Sequence, residues 1–253
     1  MIMKKVFAIF LSALLLSACL AGCGEKADNE LNTIENGKLI MSTNAEFPPY
    51  ETTTDDGGFA GIDIEIAQAI ADKLGLELVI DDMDFDTALT AVQTGKSDMV
   101  MAGVTADEDR MKVMNFSISY ATGVQVIIVK EGSDVTLENL GQQLIGTQKG
   151  TTSNIYCSDS FGSDHVVTYD SSITAVQALL KGQLDCVVVD NAPAQELVKN
   201  NPGLKILDTA YMTESYAIGF SKKNTVLLEA VNKALEELMA DGTIQSIIDK
   251  YIH

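Results

Sequence analysis

Arg110 stands three residues after Asp107, and both follow Gly103-Val104-Thr105. Asp107 is a natural helix opener, because its carboxylate accepts from the free N–H groups of a first turn. Arg110 is therefore expected in that turn, beside a strand end. A guanidinium fork next to unpaired backbone N–H groups suits a carboxylate. Thr152 offers a further N–H at a second predicted helix entrance, Gly150-Thr151-Thr152-Ser153-Asn154. Asp190 closes a predicted buried strand, where an isolated charge is costly unless paired, and an α-ammonium would pair it. Phe47 precedes Pro48-Pro49, which hold the backbone extended, so its ring offers a wall. Carboxylate holder, ammonium holder and aromatic wall together describe a seat for a zwitterion, an α-amino acid.

Other chemistries find less support. The sequence has two histidines. His253 is its last residue, and His165 lies in the turn-like Ser163-Asp164-His165 with no Gly-x-Ser-x-Gly elbow nearby, so nucleophilic hydrolysis has no template. Walker A and Gly-x-Gly-x-x-Gly patterns are absent. Paired carboxylates carry no signal among 36 acidic residues. A formal net charge of −19 opposes nucleic acid, which demands clustered Lys and Arg, and opposes adsorption to anionic lipid. Without Cys-x-x-Cys pairs or a His cluster, neither a metal nor a cofactor is implied.

The elements that position these residues come in two similar units. Thr87-Ala88-Leu89-Thr90-Ala91-Val92-Gln93-Thr94-Gly95-Lys96-Ser97-Asp98-Met99-Val100 is echoed by Thr174-Ala175-Val176-Gln177-Ala178-Leu179-Leu180-Lys181-Gly182-Gln183-Leu184-Asp185-Cys186-Val187. Each copy reads as a helix, a Gly stop and a buried strand. One runs on into Gly103-Val104-Thr105, the other into Asp190. Ligands collect beyond the carboxyl ends of strands in open α/β sheets, so two such ends facing each other make a cleft. At 253 residues with 46% hydrophobic residues, the chain is long enough for two cores. Strands are expected at 38–43, 76–81, 99–102, 125–129, 144–147 and 216–220, and helices from Asp63 as N-cap, over 85–94, and over 225–239 with a short last one at 244–251. Strands alternating with helices predict parallel sheets. The chain is expected to leave the first unit near Tyr120-Ala121-Thr122-Gly123 and return near Thr213-Glu214-Ser215, and two crossing strands would form a hinge.

The first segment stands outside this fold. Lys4 and Lys5 precede an apolar run, Val6 to Leu16, too short to span a bilayer comfortably. Leu20-Ala21-Gly22-Cys23 resembles a bacterial lipobox, with Leu16-Ser17-Ala18-Cys19 a weaker candidate. Lipid on Cys23 would tether the chain to the outer face of a membrane. The polar stretch from Gly24 to Asn36 reads as a flexible leash. Cys157 and Cys186 remain, and either a disulfide or two buried thiols fits an extracytoplasmic setting.

The chain resembles the polar amino-acid-binding members of the bacterial extracellular solute-binding proteins that feed ABC importers. The resemblance rests on Gly61-Ile62-Asp63-Ile64-Glu65-Ile66, Asn44-Ala45-Glu46-Phe47-Pro48-Pro49-Tyr50-Glu51, Ala102-Gly103-Val104-Thr105-Ala106-Asp107-Glu108-Asp109-Arg110, Asn115-Phe116-Ser117, Gly150-Thr151-Thr152 and Asp241-Gly242-Thr243, and covers Lys38 to Ile252. It implies an α/β fold, a two-lobe clamshell of type II with two crossover hinge strands. The expected divisions are 1–22 a lipoprotein signal peptide, 23–36 a tether, 37–120 with 216–253 the first lobe, and 121–215 the second lobe with hinge segments. The resemblance further implies that Arg110 takes an α-carboxylate with the N–H groups of Thr105 and Thr152. Asp190, with the Gly103 carbonyl and the Thr105 hydroxyl, would take the α-ammonium. Phe47 would stack on the side chain, and Asn44, Glu46, Ile62 and Gln148 would line the specificity pocket. Ala102 and Thr151 join the site through their motifs.

Two departures bear on specificity. Relatives carry an aromatic residue where Ile62 stands, so the second ring of a sandwich is expected to be missing. Gln148, where glutamate or glutamine binders carry Lys, counts against an acidic ligand, and Glu46 leans towards a cationic or amide side chain. The implied partners are a small amino acid and ABC permease subunits, with membrane contact through the lipid anchor only and no nucleic acid. The chain is expected to be monomeric and extracytoplasmic, and not an enzyme. Two other uses of the fold are a dehydratase acting on arogenate or prephenate, with Glu46 as its acid, and an amino-acid sensor.

Overall fold

A computed structural model describes residues 30–252. The signal segment, Cys19, Cys23 and the leash up to residue 29 lie outside the described residues. The end of the expected leash belongs to the fold: Leu31 packs on the core, and the Ile34 N–H donates to Asp98 Oδ1 at 2.8 Å.

The first unit runs β1 (Lys38–Thr43), β2 (Glu46–Phe47), β3 (Glu51–Thr53), β4 (Phe59–Ala60), α1 (Ile62–Leu74), β5 (Glu77–Asp82), α2 (Phe85–Thr94), β6 (Met99–Val100) and α3 (Glu108–Val113). A 17-residue strand, β7 (Met114–Lys130), leads out of it. The second unit holds β8 (Ile145–Gln148), α4 (Thr152–Phe161), β9 (Val166–Tyr169), α5 (Ser172–Leu180), β10 (Cys186–Asp190), α6 (Asn191–Asn200) and β11 (Leu204–Ile206). β12 (Met212–Ser221) leads back to α7 (Thr225–Ala240) and α8 (Thr243–Tyr251).

The strands form one nine-stranded sheet in the order β5-β1-β6-β12-β7-β10-β8-β9, with β11 on β7; β2, β3 and β4 make a small second sheet. The two repeat strands hold matching places. β6 is parallel to β1 and antiparallel to β12; β10 is parallel to β8 and antiparallel to β7. Both repeat glycines adopt positive φ, +75° at Gly95 and +74° at Gly182, the left-handed backbone that ends a helix cheaply only without a Cβ. The sheet is mixed rather than parallel, because a chain that goes out and comes back must send β7 and β12 in opposite directions. Tyr216 pairs with Ala121 and Glu214 with Gly123, and the register slips between Tyr216 and Gly219. Such bulges bend and twist a ribbon, here where it passes from one lobe to the other. Each lobe has its own apolar filling. Leu39, Met41, Ile66, Ile70, Phe220 and Val231 lie in one, and Ile128, Val176, Leu179, Val187 and Leu197 in the other.

One local reading is corrected. α1 begins at Ile62, with Gly61 as its N-cap, and Asp63 lies inside the first turn, fully buried. A Cβ at Gly61 would come within 2.1 Å of the Tyr50 carbonyl oxygen. In place of a side-chain cap, the Ile62 and Asp63 N–H groups donate to the Pro49 and Tyr50 carbonyls at 3.0 and 2.9 Å. Asp63 accepts from the Gly103 N–H at 2.9 Å and the Tyr120 hydroxyl at 2.8 Å, so it fastens α1 to the loop that carries Gly103. Cys157 and Cys186 are free, buried thiols. Among the described residues no helix is long and apolar enough to cross a membrane.

Candidate functional site

Asp107 caps α3 by accepting from the Arg110 N–H at 2.8 Å. It also faces Arg110 Nε at 3.4 Å. The guanidinium then reaches across the cleft: one terminal nitrogen donates to the Thr105 carbonyl and the other to the Gly150 carbonyl, both at 2.9 Å. It lies 5.5 Å from the centre of the Phe85 ring. Burial lowers the Arg110 pKa, while Asp107 and Glu214 act against that lowering. A guanidinium this basic stays charged.

Thr151 caps α4 from the opposite lobe, accepting from the Asn154 N–H at 3.3 Å and donating to the Gln148 carbonyl at 2.7 Å. First-turn N–H groups have no partner within their own helix, and Thr152 is the first residue of α4. Asp190 stands at the end of β10, between its strand and α6. Burial, then the nearby charge of Glu214, raises its pKa to about 7. Its Oδ2 accepts from the Gln125 amide at 3.0 Å, while Oδ1 lies against the Tyr216 hydroxyl, which acts to lower the pKa.

These groups line one cavity of about 30 Å³, room for a water or two and well short of the ~300–1,000 Å³ usual for small-molecule sites, so the jaws are drawn together over it. Asn44, Phe47, Ala102, Gly103, Thr105, Arg110, Gln148, Thr151, Thr152 and Asp190 all line it. The Phe47 ring sits so close to Gly103 that a Cβ there would meet it at 2.8 Å, and Gly103 has φ +54°. Phe47 touches the apolar filling of both lobes. The jaws meet around the cavity. Gln148 Nε2 donates to Asn44 Oδ1 at 2.9 Å, and Lys149 pairs with Asp86 at 2.7 Å.

Two expected residues are not brought to the cavity. Ile62 has no exposed surface and packs in the first lobe's core, as the inward face of an N-terminal turn must. Glu46 is exposed on β2 and is not part of the lining, since strand alternation turns it away from the side that Phe47 takes. Phe85, at the start of α2, adds a second aromatic ring to the lining, against the Arg110 guanidinium. Its signal was legible: an aromatic residue at a helix entrance directly after a strand of the same lobe.

Glu51, Ser153, Val188, Val189 and Glu214 complete the lining and were not anticipated. Glu51 is wholly buried, and its pKa lies well above the ordinary range, through burial first and the charge of Asp63 second. Burial also raises Asp63 to about 6. Among the described residues no group of three or more His, Cys, Asp or Glu side chains is arranged to hold a metal ion.

The family described as bacterial extracellular solute-binding proteins, family 3, matches residues 39–253. The L-cystine-binding protein TcyJ of Escherichia coli strain K12 is 31% identical over 242 residues, covering 92% of this chain and 91% of its own. An ancestral arginine-binding protein, solved with glutamine bound, superposes with a TM-score of 0.81 at 40% identity, over 86% of this chain and 99% of its own. ArtJ of Geobacillus stearothermophilus, an arginine-, lysine- and histidine-binding protein, gives a TM-score of 0.81 at 30% identity, over 85% of this chain and 95% of its own. Shared fold, nearly full-length coverage and a cleft between two linked lobes agree: the chain belongs to the bacterial extracellular solute-binding proteins of family 3.

Proposed function

We propose that this chain captures a polar L-amino acid in the interlobe cleft and presents it to an ABC importer, from a lipid anchor at Cys23 on the outer face of the membrane. The observation that carries the reading is that Arg110 and Asp190, from facing lobes, line the same cavity. Arg110, with the N–H groups of Thr105 and Thr152, takes the carboxylate. Asp190, with the Gly103 carbonyl and the Thr105 hydroxyl, takes the ammonium. Phe47 and Phe85 border the side chain, and Asn44 and Gln148 close over it. The relatives named for cystine, arginine and glutamine support an amino acid as the cargo. The dehydratase reading loses its acid, because Glu46 lies outside the lining.

A thermal-shift screen of the twenty L-amino acids with ornithine, citrulline and cystine identifies the cargo, since a ligand of the folded state raises the melting temperature. Truncating one member of a buried charge pair costs about 2–5 kcal/mol. Arg110→Ala and Asp190→Ala are therefore each expected to weaken binding at least about 100-fold by calorimetry. Parent-like affinity in either variant defeats the assignment.

A further inference from the structure

Glu214 is a buried carboxylate in the cleft that the zwitterion reading leaves without a task. It lies on β12, paired with Gly123 on β7, so it belongs to the crossover rather than to either jaw. It lines the cavity and is only 4% exposed. Its Oε2 accepts from the Thr105 hydroxyl at 3.1 Å and from Gln125 Nε2 at 2.9 Å, and its Oε1 has no hydrogen-bond partner. The same Gln125 nitrogen donates to Asp190 Oδ2 at 3.0 Å. A primary amide has two N–H donors, so Gln125 holds two carboxylates side by side with one hydrogen to each. Glu214 keeps one oxygen without a partner, Asp190 has only the neutral Tyr216 phenol on its other side, and both acids line the cavity with Thr105.

We infer that Glu214 is the second carboxylate of the ammonium seat, so that the cleft selects a fully protonated amine and its capture drives a proton off the carboxylate pair. This rests on the amino-acid reading of the same cleft. The physical argument concerns like charges. Two buried carboxylates held together resist ionising together, and one amide with one phenol hydroxyl does not offset two negative charges. An ammonium brings three donors and a full positive charge, and it makes the doubly ionised pair favourable. The groups facing the pair are consistent with this. Arg110 on α3 acts on Glu214, but its charge is shared with Asp107 and the N–H groups left beyond its two carbonyl bonds are those proposed for the ligand carboxylate. The phenols of Tyr50, Tyr156 and Tyr216 all have raised pKa values and remain neutral. Among the described residues, no positive side chain other than Arg110 lines the cavity. With Asp190 raised to about 7, the proton that leaves is mostly present at pH 6.

The test is calorimetry at pH 6 with L-arginine, L-glutamine, L-histidine and L-cystine, repeated in phosphate and in Bis-Tris, whose ionisation enthalpies differ. The parent is expected to release close to one proton per amino acid bound at pH 6, and little at pH 8.5. This arm needs no variant. Glu214→Gln keeps shape and acceptor, and is expected to bind about tenfold more weakly at pH 8. Its loss at pH 5.5 should be smaller, and its proton release at pH 6 lower. A parent that binds without releasing a proton overturns the inference. So does a Glu214→Gln variant with parental affinity, or one weakened by the same factor at every pH with its proton count intact, which is the mark of a structural role. If the parent binds none of these or the remaining common amino acids, the amino-acid reading itself fails, and the inference with it.

Discussion

Asp190 illustrates how a residue proposed for binding opposes the stability of the fold that carries it. Its carboxyl has a raised pKa of about 7 because it is buried beside Glu214. An acid raised in the folded state stabilises that state when neutral, fully below its ordinary pKa near 3.8, and loses the contribution as pH rises through about 7. Asp190→Asn removes the penalty without changing shape. The variant, free of amino acid, is therefore expected to melt higher than the parent at pH 8, with the gap narrowing towards pH 5 and closing only below the ordinary pKa near 3.8. A constant gap across that range would show that Asp190 is already ionised or already paired. The same substitution removes the partner proposed for the ammonium, so the gain in stability should come with a loss of binding.

Gly123 is where the crossover element meets the site. A Cβ there would lie 2.4 Å from the Tyr216 hydroxyl and 2.7 Å from Asp190 Oδ1, so strand and site are packed to contact. Overpacking of this kind costs about 1–3 kcal/mol. Gly123→Ala is expected to lose stability in that range by denaturant titration, and to weaken amino-acid binding because the Asp190 carboxylate must shift. Unchanged affinity would separate the strand from the site.

How much of this was legible follows the range of the forces involved. Helix caps and repeat strands are local, and Asp107, Thr151 and the two repeats stand where their patterns put them. The position of Arg110 and Asp190 on one cavity was legible because a charge at a strand or helix end has few inexpensive partners. Glu46 and Ile62 were misplaced because facing inward or outward on a short strand or a first turn depends on what packs above it. Glu214 and Glu51 were hidden for a similar reason. A single acid in a strand, among 36 acidic residues, gives no sign that a second strand will bury it beside another.

At the scale of the whole molecule, the decisive feature is that β7 runs unbroken for 17 residues and is paired along both of its halves. Its early residues face β12, and its later ones face β10 and β11. The lobes thus share a load-carrying ribbon, and melting either half would strip hydrogen bonds from the other. Small domains joined by loose linkers denature in separate steps, whereas elements that share a ladder denature together. Scanning calorimetry of the free protein is expected to give a single endotherm whose calorimetric and van't Hoff enthalpies agree, and two resolved peaks would contradict it. A receptor working outside the cell would then hardly populate a half-melted form, which is the form that exported proteases cut most readily.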